Sequence, residues 1–323
     1  MPGVLDRRVH FVIGKGGVGK TTVAAALALI LARRGRRTLA VEMEASGRLA
    51  AVLGAGGAGA QPVEVGPGLH VAAVEGRAAL EEYLQLVIPV KRLLHTIFAS
   101  RVYQYFVAAA PGLKELMTVG KIWYEATREE AGLRAWDAVV VDAPATGHAL
   151  QHLRMPQAAR DTFGAGLVQR EAARIAAFLR DPRATAIHLV TVAEEMPVTE
   201  ALEAHAELTG PLGLPLGWVV VNRLHRRRFA AALLDALRTA AAQAPAEWGA
   251  LLAAVADRAR EEEGWAAINA QHLAALRAAL PVAAVAELPF LFVEEFDRAA
   301  LARLSDVLEA AIAPARMRAR VRS

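Results

Sequence analysis

The chain has 323 residues, 55% of them hydrophobic, and a formal net charge of +4 at pH 7, which is ample apolar material for a large α/β unit. It contains no cysteine, so disulfides, iron–sulfur clusters and cysteine-based zinc or metalloid sites are excluded. Its arginines are spread widely, which is weak ground for a nucleic-acid partner.

Near the N-terminus, Arg7 and Arg8 precede an apolar run that stops at Gly14 without a cleavage-like site, so a cytoplasmic location is expected. Residues 9–13 have the composition of a short buried strand. Gly14-Lys15-Gly16-Gly17-Val18-Gly19-Lys20-Thr21 follows, then Thr22 and an Ala/Leu-rich helical stretch over 21–32. A glycine, four residues, then Gly-Lys-Thr between a strand and a helix leaves backbone N–H groups and the positive helix end facing one anion. Lys20 is placed to reach the β- and γ-phosphates of a bound nucleotide such as ATP, and Thr21 to hold Mg²⁺. The strongly apolar segment 23–32 is too short to cross a bilayer.

Arg33-Arg34-Gly35 closes this helix as a basic, glycine-terminated cap, and 38–43 reads as a second strand. This strand, loop, helix and strand opening predicts an α/β fold with a doubly wound, mostly parallel sheet. A Gly/Ala-rich loop covers 54–62 and a short strand 70–75. Residues 78–134 read as helical, broken at Pro89 and at Pro111-Gly112, and hold all four tyrosines, Tyr83, Tyr103, Tyr105 and Tyr124. They are expected to form a helical subdomain, with part of 150–180, within a single domain of 1–323. The run 136–144 is a fully buried central strand ending in an acid. Helical sequence continues to 180, strands are read at 186–192, 218–222 and 282–288, and helices at 229–280 and 294–312. A flexible basic tail is expected over 313–323.

Asp142 stands at the carboxyl end of its strand, where open α/β sheets place ligands, suited to the Mg²⁺ shell. Together with the glycine loop, the stretch Asp142-Ala143-Pro144-Ala145-Thr146-Gly147-His148 resembles the ArsA/Get3 family of deviant Walker A P-loop ATPases, whose second switch reads Asp-Thr-Ala-Pro-Thr-Gly-His. Pro111-Gly112-Leu113-Lys114-Glu115 and Val221-Asn222 are similar to further motifs of that family. The resemblance implies a P-loop NTPase fold, Mg-ATP hydrolysis and a face-to-face dimer. Lys15 would be the lysine that crosses to the partner's nucleotide, Lys20 the loop lysine, Thr21 the Mg²⁺ ligand and Asp142 the switch acid. Asn222 would read the adenine and Pro289 border it, while His148 is either a switch relay or a structural histidine.

The sequence departs from the family at Glu44-Ala45-Ser46-Gly47, where the family has Asp-Pro-Ala-His. Glu44 keeps the carboxylate one methylene further out, and shifts near 1 Å cost on the order of 100-fold in rate, so slow turnover is expected. Glu42, a partner-supplied group or a nearly inactive site are the alternatives. With one P-loop in the chain, the second nucleotide site must come from another copy or a related subunit.

Two roles follow for such an ATPase. In one it opens and closes a helical surface, residues 80–124, for an apolar client such as a membrane-protein segment or lipid-linked partner. In the other it is a positioning ATPase resembling the ParA/MinD group, using Arg223, His225 to Arg228 and the tail against DNA or membrane. An anion-pump subunit is a third reading.

Overall fold

The structure is a computed structural model that describes residues 3–44, 46–87, 100 and 112–313. Ala45, Pro89, Tyr103, Tyr105, Pro111 and the basic tail beyond Ala313 lie outside the described residues.

Short apolar runs bounded by turns become the strands of one eight-stranded sheet. In chain order the elements are β1 Val9–Gly14, α1 Lys20–Arg33, β2 Thr38–Met43, α2 Arg48–Val52, β3 Val63–Gly66, β4 Leu69–Val74 and α3 Gly76–Val87. After these come α4 Leu113–Thr127, the two-residue strands β5 Glu129–Glu130 and β6 Leu133–Arg134, β7 Ala138–Ala145, α5 Thr146–Thr162 and α6 Leu167–Arg180. The chain continues through β8 Thr185–Val192, α7 Glu195–Thr209, β9 Leu216–Leu224, α8 Ala231–Gln243, α9 Ala246–Ala279, β10 Ala284–Pro289 and α10 Arg298–Ile312.

The sheet order is β10-β9-β8-β1-β7-β2-β4-β3. All pairings are parallel except β3 with β4. It is the α/β, doubly wound, mostly parallel sheet expected from the sequence. β1 lies between β7 and β8, so its carboxyl end opens at the centre of the sheet, where ligand crevices form in such folds.

Strand periodicity divides the core into two layers. Phe11 and Ile13 of β1, with Val139 and Val141 of β7, face the layer that holds Val119 and Ile122 of α4, Leu150 of α5 and Leu276 of α9. Val12 and Val140 face the opposite layer, with Val23, Leu27 and Leu31 of α1 and Leu301, Leu304 and Leu308 of α10. The small residues Ala24, Ala25, Ala26 and Ala28 of α1 are fully buried, so this helix lies close on the strands that carry the loop.

The arginines at the end of α1 and just beyond it are structural ties. Arg33 pairs with Asp306 at 2.8 Å and Arg34 with Glu309 at 2.7 Å, both on α10. Arg36 donates to the backbone oxygens of Leu5, Arg7 and Asp137, and Arg37 lies 4.7 Å from the centre of the Trp136 ring. Residues 129–134 are not helical, as the sequence reading had them, but a hairpin whose turn holds Ala131 (φ 51°) and Gly132 (φ 79°). A two-residue turn with both φ values positive matches strand twist.

A buried polar line crosses three central strands. The Trp218 N–H donates to His188 Nδ1 at 3.2 Å, which leaves the His188 proton on Nε2, 3.2 Å from His10 Nδ1. His10 in turn carries its proton on Nε2, 3.2 Å from the Arg7 carbonyl oxygen. Every donor has an acceptor only while both imidazoles are neutral. Burial, reinforced by the Arg36 and Arg7 charges, lowers the His10 pKa to about 3; burial, with His10 and Arg7 beside it, takes that of His188 well below its ordinary value.

Candidate functional site

The glycine loop forms where β1 leaves the sheet. A Cβ at Gly14 would stand 2.1 Å from the Val190 carbonyl oxygen of β8, so glycine alone fits beside that strand. Gly19, at φ 93°, would place a Cβ 2.3 Å from Asn222 Nδ2. Gly16 and Gly17 are exposed between these points, and Val18 is buried as the loop's apolar anchor. α1 then starts at Lys20 with no side-chain cap, so the first-turn N–H groups of Lys20, Thr21 and Thr22 are left for an anion.

Two lysines are held in place at this loop. Lys20 Nζ donates to the Lys15 carbonyl oxygen at 3.0 Å. Burial lowers its pKa, opposed by the charges of Asp142 and Glu200. Lys15 Nζ lies 3.6 Å from Glu200 Oε2 of α7.

Asp142 is in register with Val12 of β1 and Glu42 of β2, 6% exposed. Its Oδ1 has no hydrogen-bond partner, nor does the buried Thr146 hydroxyl. Burial raises the Asp142 pKa to about 6, while the Thr21 hydroxyl and Lys20 pull the other way. A buried carboxylate oxygen with an open valence, beside a threonine hydroxyl, fits a hard divalent cation such as Mg²⁺. Thr21 and Asp142 are the residues that would hold it.

The two acids after β2 are separated by environment. Glu42 is 2% exposed and turned inward: Oε2 accepts from Gly47 N at 3.0 Å, and Oε1 from Arg48 N at 3.0 Å and from the Ser46 hydroxyl. Both oxygens are thus spent holding the start of α2. Glu44 is exposed at φ 65°, its Oε1 3.9 Å from Nδ1 of His148 in the first turn of α5. The turn after β2 and the first turn of α5 therefore approach one another.

At its far side, Asn222 is buried at the end of β9 and donates from Nδ2 to the Val18 carbonyl oxygen at 2.9 Å. The amide assigned from sequence to the base is thus also a brace of the glycine loop. Pro289 ends β10, half-buried and paired in register with Leu224.

Sequence reasoning missed Glu200, Arg48 and Thr146. Glu200 meets Lys15 only through the fold, and Arg48, in the first turn of α2, acts electrostatically on both Lys20 and Asp142. Thr146, the first residue of α5, sits within the Asp142–His148 stretch, and that position directly after the central strand was the available signal. In the basic run that follows Asn222, His225 lies 2.8 Å from Glu262 and Arg226 3.5 Å from Glu287, while Arg223, Arg227 and Arg228 are exposed.

The family model for anion-transporting ATPases matches residues 7–169, half of the chain. The chain belongs to the anion-transporting ATPase family. The matched region carries the glycine loop, Glu44, Asp142 and His148. ATPase BagA of Mycobacterium tuberculosis is 36% identical over 222 residues, covering 67% of this chain and 65% of that protein. The arsenical pump-driving ATPase of Escherichia coli is 28% identical over 235 residues, 66% of this chain and 38% of that one. The putative arsenical pump-driving ATPase of Halobacterium salinarum is 29% identical over 238 residues, 68% of this chain and 36% of that one. The chain thus spans less than two thirds of the length of each of these family members. Among the described residues no helix is long and apolar enough to cross a membrane.

Proposed function

We propose that the protein is an ATP-hydrolysing switch that works as a dimer, with a second copy or a related ATPase subunit. The observation that carries this reading is the buried, open-valence Asp142 carboxylate beside Thr21 and Lys20. In it, the N–H groups of the loop and the first turn of α1 cradle the phosphates of ATP, and Lys20 leaves the Lys15 carbonyl for the β- and γ-phosphates. Thr21 and Asp142 hold Mg²⁺, which when bound neutralises charge on the phosphate oxygens. Glu44, the exposed acid of the first loop, orients the attacking water, since Glu42 is committed to the backbone of α2. Lys15 exchanges Glu200 for the neighbouring subunit's nucleotide, adding positive charge as an arginine finger does. Asn222 and Pro289 border the base.

Closure would change a helical surface presented to a protein or lipid-linked client, with the protein cytoplasmic or peripheral at the membrane. The described part of 80–124 packs around Leu80 with Leu84, Leu113 and Met117. Large exposed apolar side chains instead stand along α9, with Trp248 62% and Leu251 54% exposed, which favours that helix as part of the client surface.

Calorimetric titration with a non-hydrolysable ATP analogue tests the reading. Binding that strengthens with Mg²⁺ and disappears in Lys20→Ala is expected; no binding with metal present would overturn it.

A further inference from the structure

The chain after β10 separates two sides of the molecule. Leu291 packs into the core layer beneath α1. Phe290 and Phe292 take the other side, their rings edge to face at 4.9 Å, and there border a cavity of about 660 Å³ between the β9–α8 loop and α9. His225 stacks on Phe290 at 4.7 Å, and its ring centre lies 6.2 Å from that of Trp265 on α9. These four rings wall a space large enough for a small organic molecule.

The walls are fixed by polar contacts beneath them. His225 N donates to Asn269 Oδ1 at 2.8 Å, the Asn269 amide donates to the Ala193 carbonyl oxygen at 3.0 Å, and Phe290 N donates to the Leu224 carbonyl oxygen at 3.0 Å. Glu262 is turned onto His225, with Oε2 2.8 Å from Nδ1. The backbone N–H groups of Arg228 and Phe229 both donate to Glu263 Oε1. The aromatic surface is therefore held open by construction, in the manner of a pre-formed ligand site.

The charge at its mouth sets the class of ligand. The charged lining residues are Arg228, Arg258, Glu261 and Glu262; Arg258 pairs with Glu261, and Glu262 is turned onto His225 with its Oε1 buried and unpartnered. Arg228, whose guanidinium lies 4.7 Å from the centre of the Phe292 ring, makes no ion pair among the described residues. A guanidinium stacked on a ring keeps its in-plane N–H donors free, and their fork matches a planar or tetrahedral oxyanion, a carboxylate or a phosphate. We infer that this cavity binds a small organic anion with a flat apolar body, an aromatic carboxylate in kind, with its ring against Phe292 and Trp265 and its acid on Arg228. Nothing in the glycine loop takes part.

Titration of the full chain with 1-naphthoate, followed by calorimetry and tryptophan fluorescence, tests this. Saturable binding of one molecule per chain is expected, and 1-naphthamide, the same body without charge, should bind at least about ten-fold more weakly. Decanoate, an acid with a flexible body, should also bind more weakly than naphthoate. Arg228→Gln should abolish the preference for naphthoate over naphthamide at an unchanged melting temperature. Trp265→Ala should weaken both, and Trp248→Ala, on the same helix outside the cavity, neither. Absence of saturation, equal affinity for naphthoate and naphthamide, decanoate matching naphthoate, or an intact preference in Arg228→Gln would overturn the inference.

Discussion

Lys15, the second residue of the glycine loop, lies 3.6 Å from Glu200 of its own chain, each side chain about one-third exposed. A lysine proposed to act on another subunit is thus held in cis by an acid on α7. A pair this exposed is worth about 0.2–1 kcal/mol, so Glu200 restrains Lys15 without trapping it. Glu200→Gln should leave the melting temperature nearly unchanged and raise turnover by up to about five-fold, the factor equivalent to that energy. Steady-state phosphate release checks this, and a fall in turnover would assign Glu200 a different role.

Asp142 links the site to stability through its charge. Its folded pKa, raised to about 6 by burial, lies above the unfolded value, so the metal-free protein is most stable below about pH 4 with respect to this group and loses that increment as pH rises through 6. The loss at pH 8 is on the order of 3 kcal/mol. Asp142→Asn should therefore melt higher than the parent at pH 8 without nucleotide, yet lose the Mg²⁺-dependent gain in ATP affinity. Melting curves with and without Mg-ATP separate the two effects.

The fold could be read from the sequence wherever burial leaves one solution. The run 38–43 is a strand with those bounds, whereas β7 continues past Asp142 to Ala145, so the acid lies inside the strand and not at its last residue. The Glu129–Arg134 hairpin was not legible, because its turn rests on a left-handed Ala131, a conformation composition does not signal. Glu200 could not be found either: it is 185 positions from Lys15 in the chain, and only the placement of β8 beside β1 brings α7 to the loop. Glu42 and Glu44 look equivalent in sequence. Burial and backbone capping of one, exposure and a positive φ of the other, separate them only in three dimensions.

Glu44→Gln is expected to slow hydrolysis while leaving ATP affinity within about two-fold, since the group acts on water and not on the nucleotide. Single-turnover rates alongside equilibrium binding check this. Unchanged turnover would remove Glu44 from the mechanism.

The His10–His188 pair predicts acid sensitivity of the fold. Both folded pKa values lie below the ordinary 6.5, so the unfolded chain takes up protons first. Stability from the neutral pair is complete above about pH 6.5 and declines as pH falls toward 3. His10 contributes a loss on the order of 1.4 kcal/mol per pH unit below its unfolded pKa, and His188 acts in the same direction. Urea midpoints between pH 8 and 5 should fall accordingly, and less steeply in His188→Gln. A midpoint as steep in that variant as in the parent would contradict the assigned tautomers.

The proposal that one subunit's Lys15 serves the other's nucleotide is tested most directly by mixing two inactive variants. Lys15→Ala keeps its own phosphate cradle but lacks the crossing lysine, and Lys20→Ala cannot hold nucleotide but still offers Lys15. An equimolar mixture should recover up to roughly a quarter of parental turnover, because half of random dimers are mixed and each has one complete site. Recovery no greater than the sum of the separate variants, with mixed dimers demonstrated by mass, would contradict action in trans.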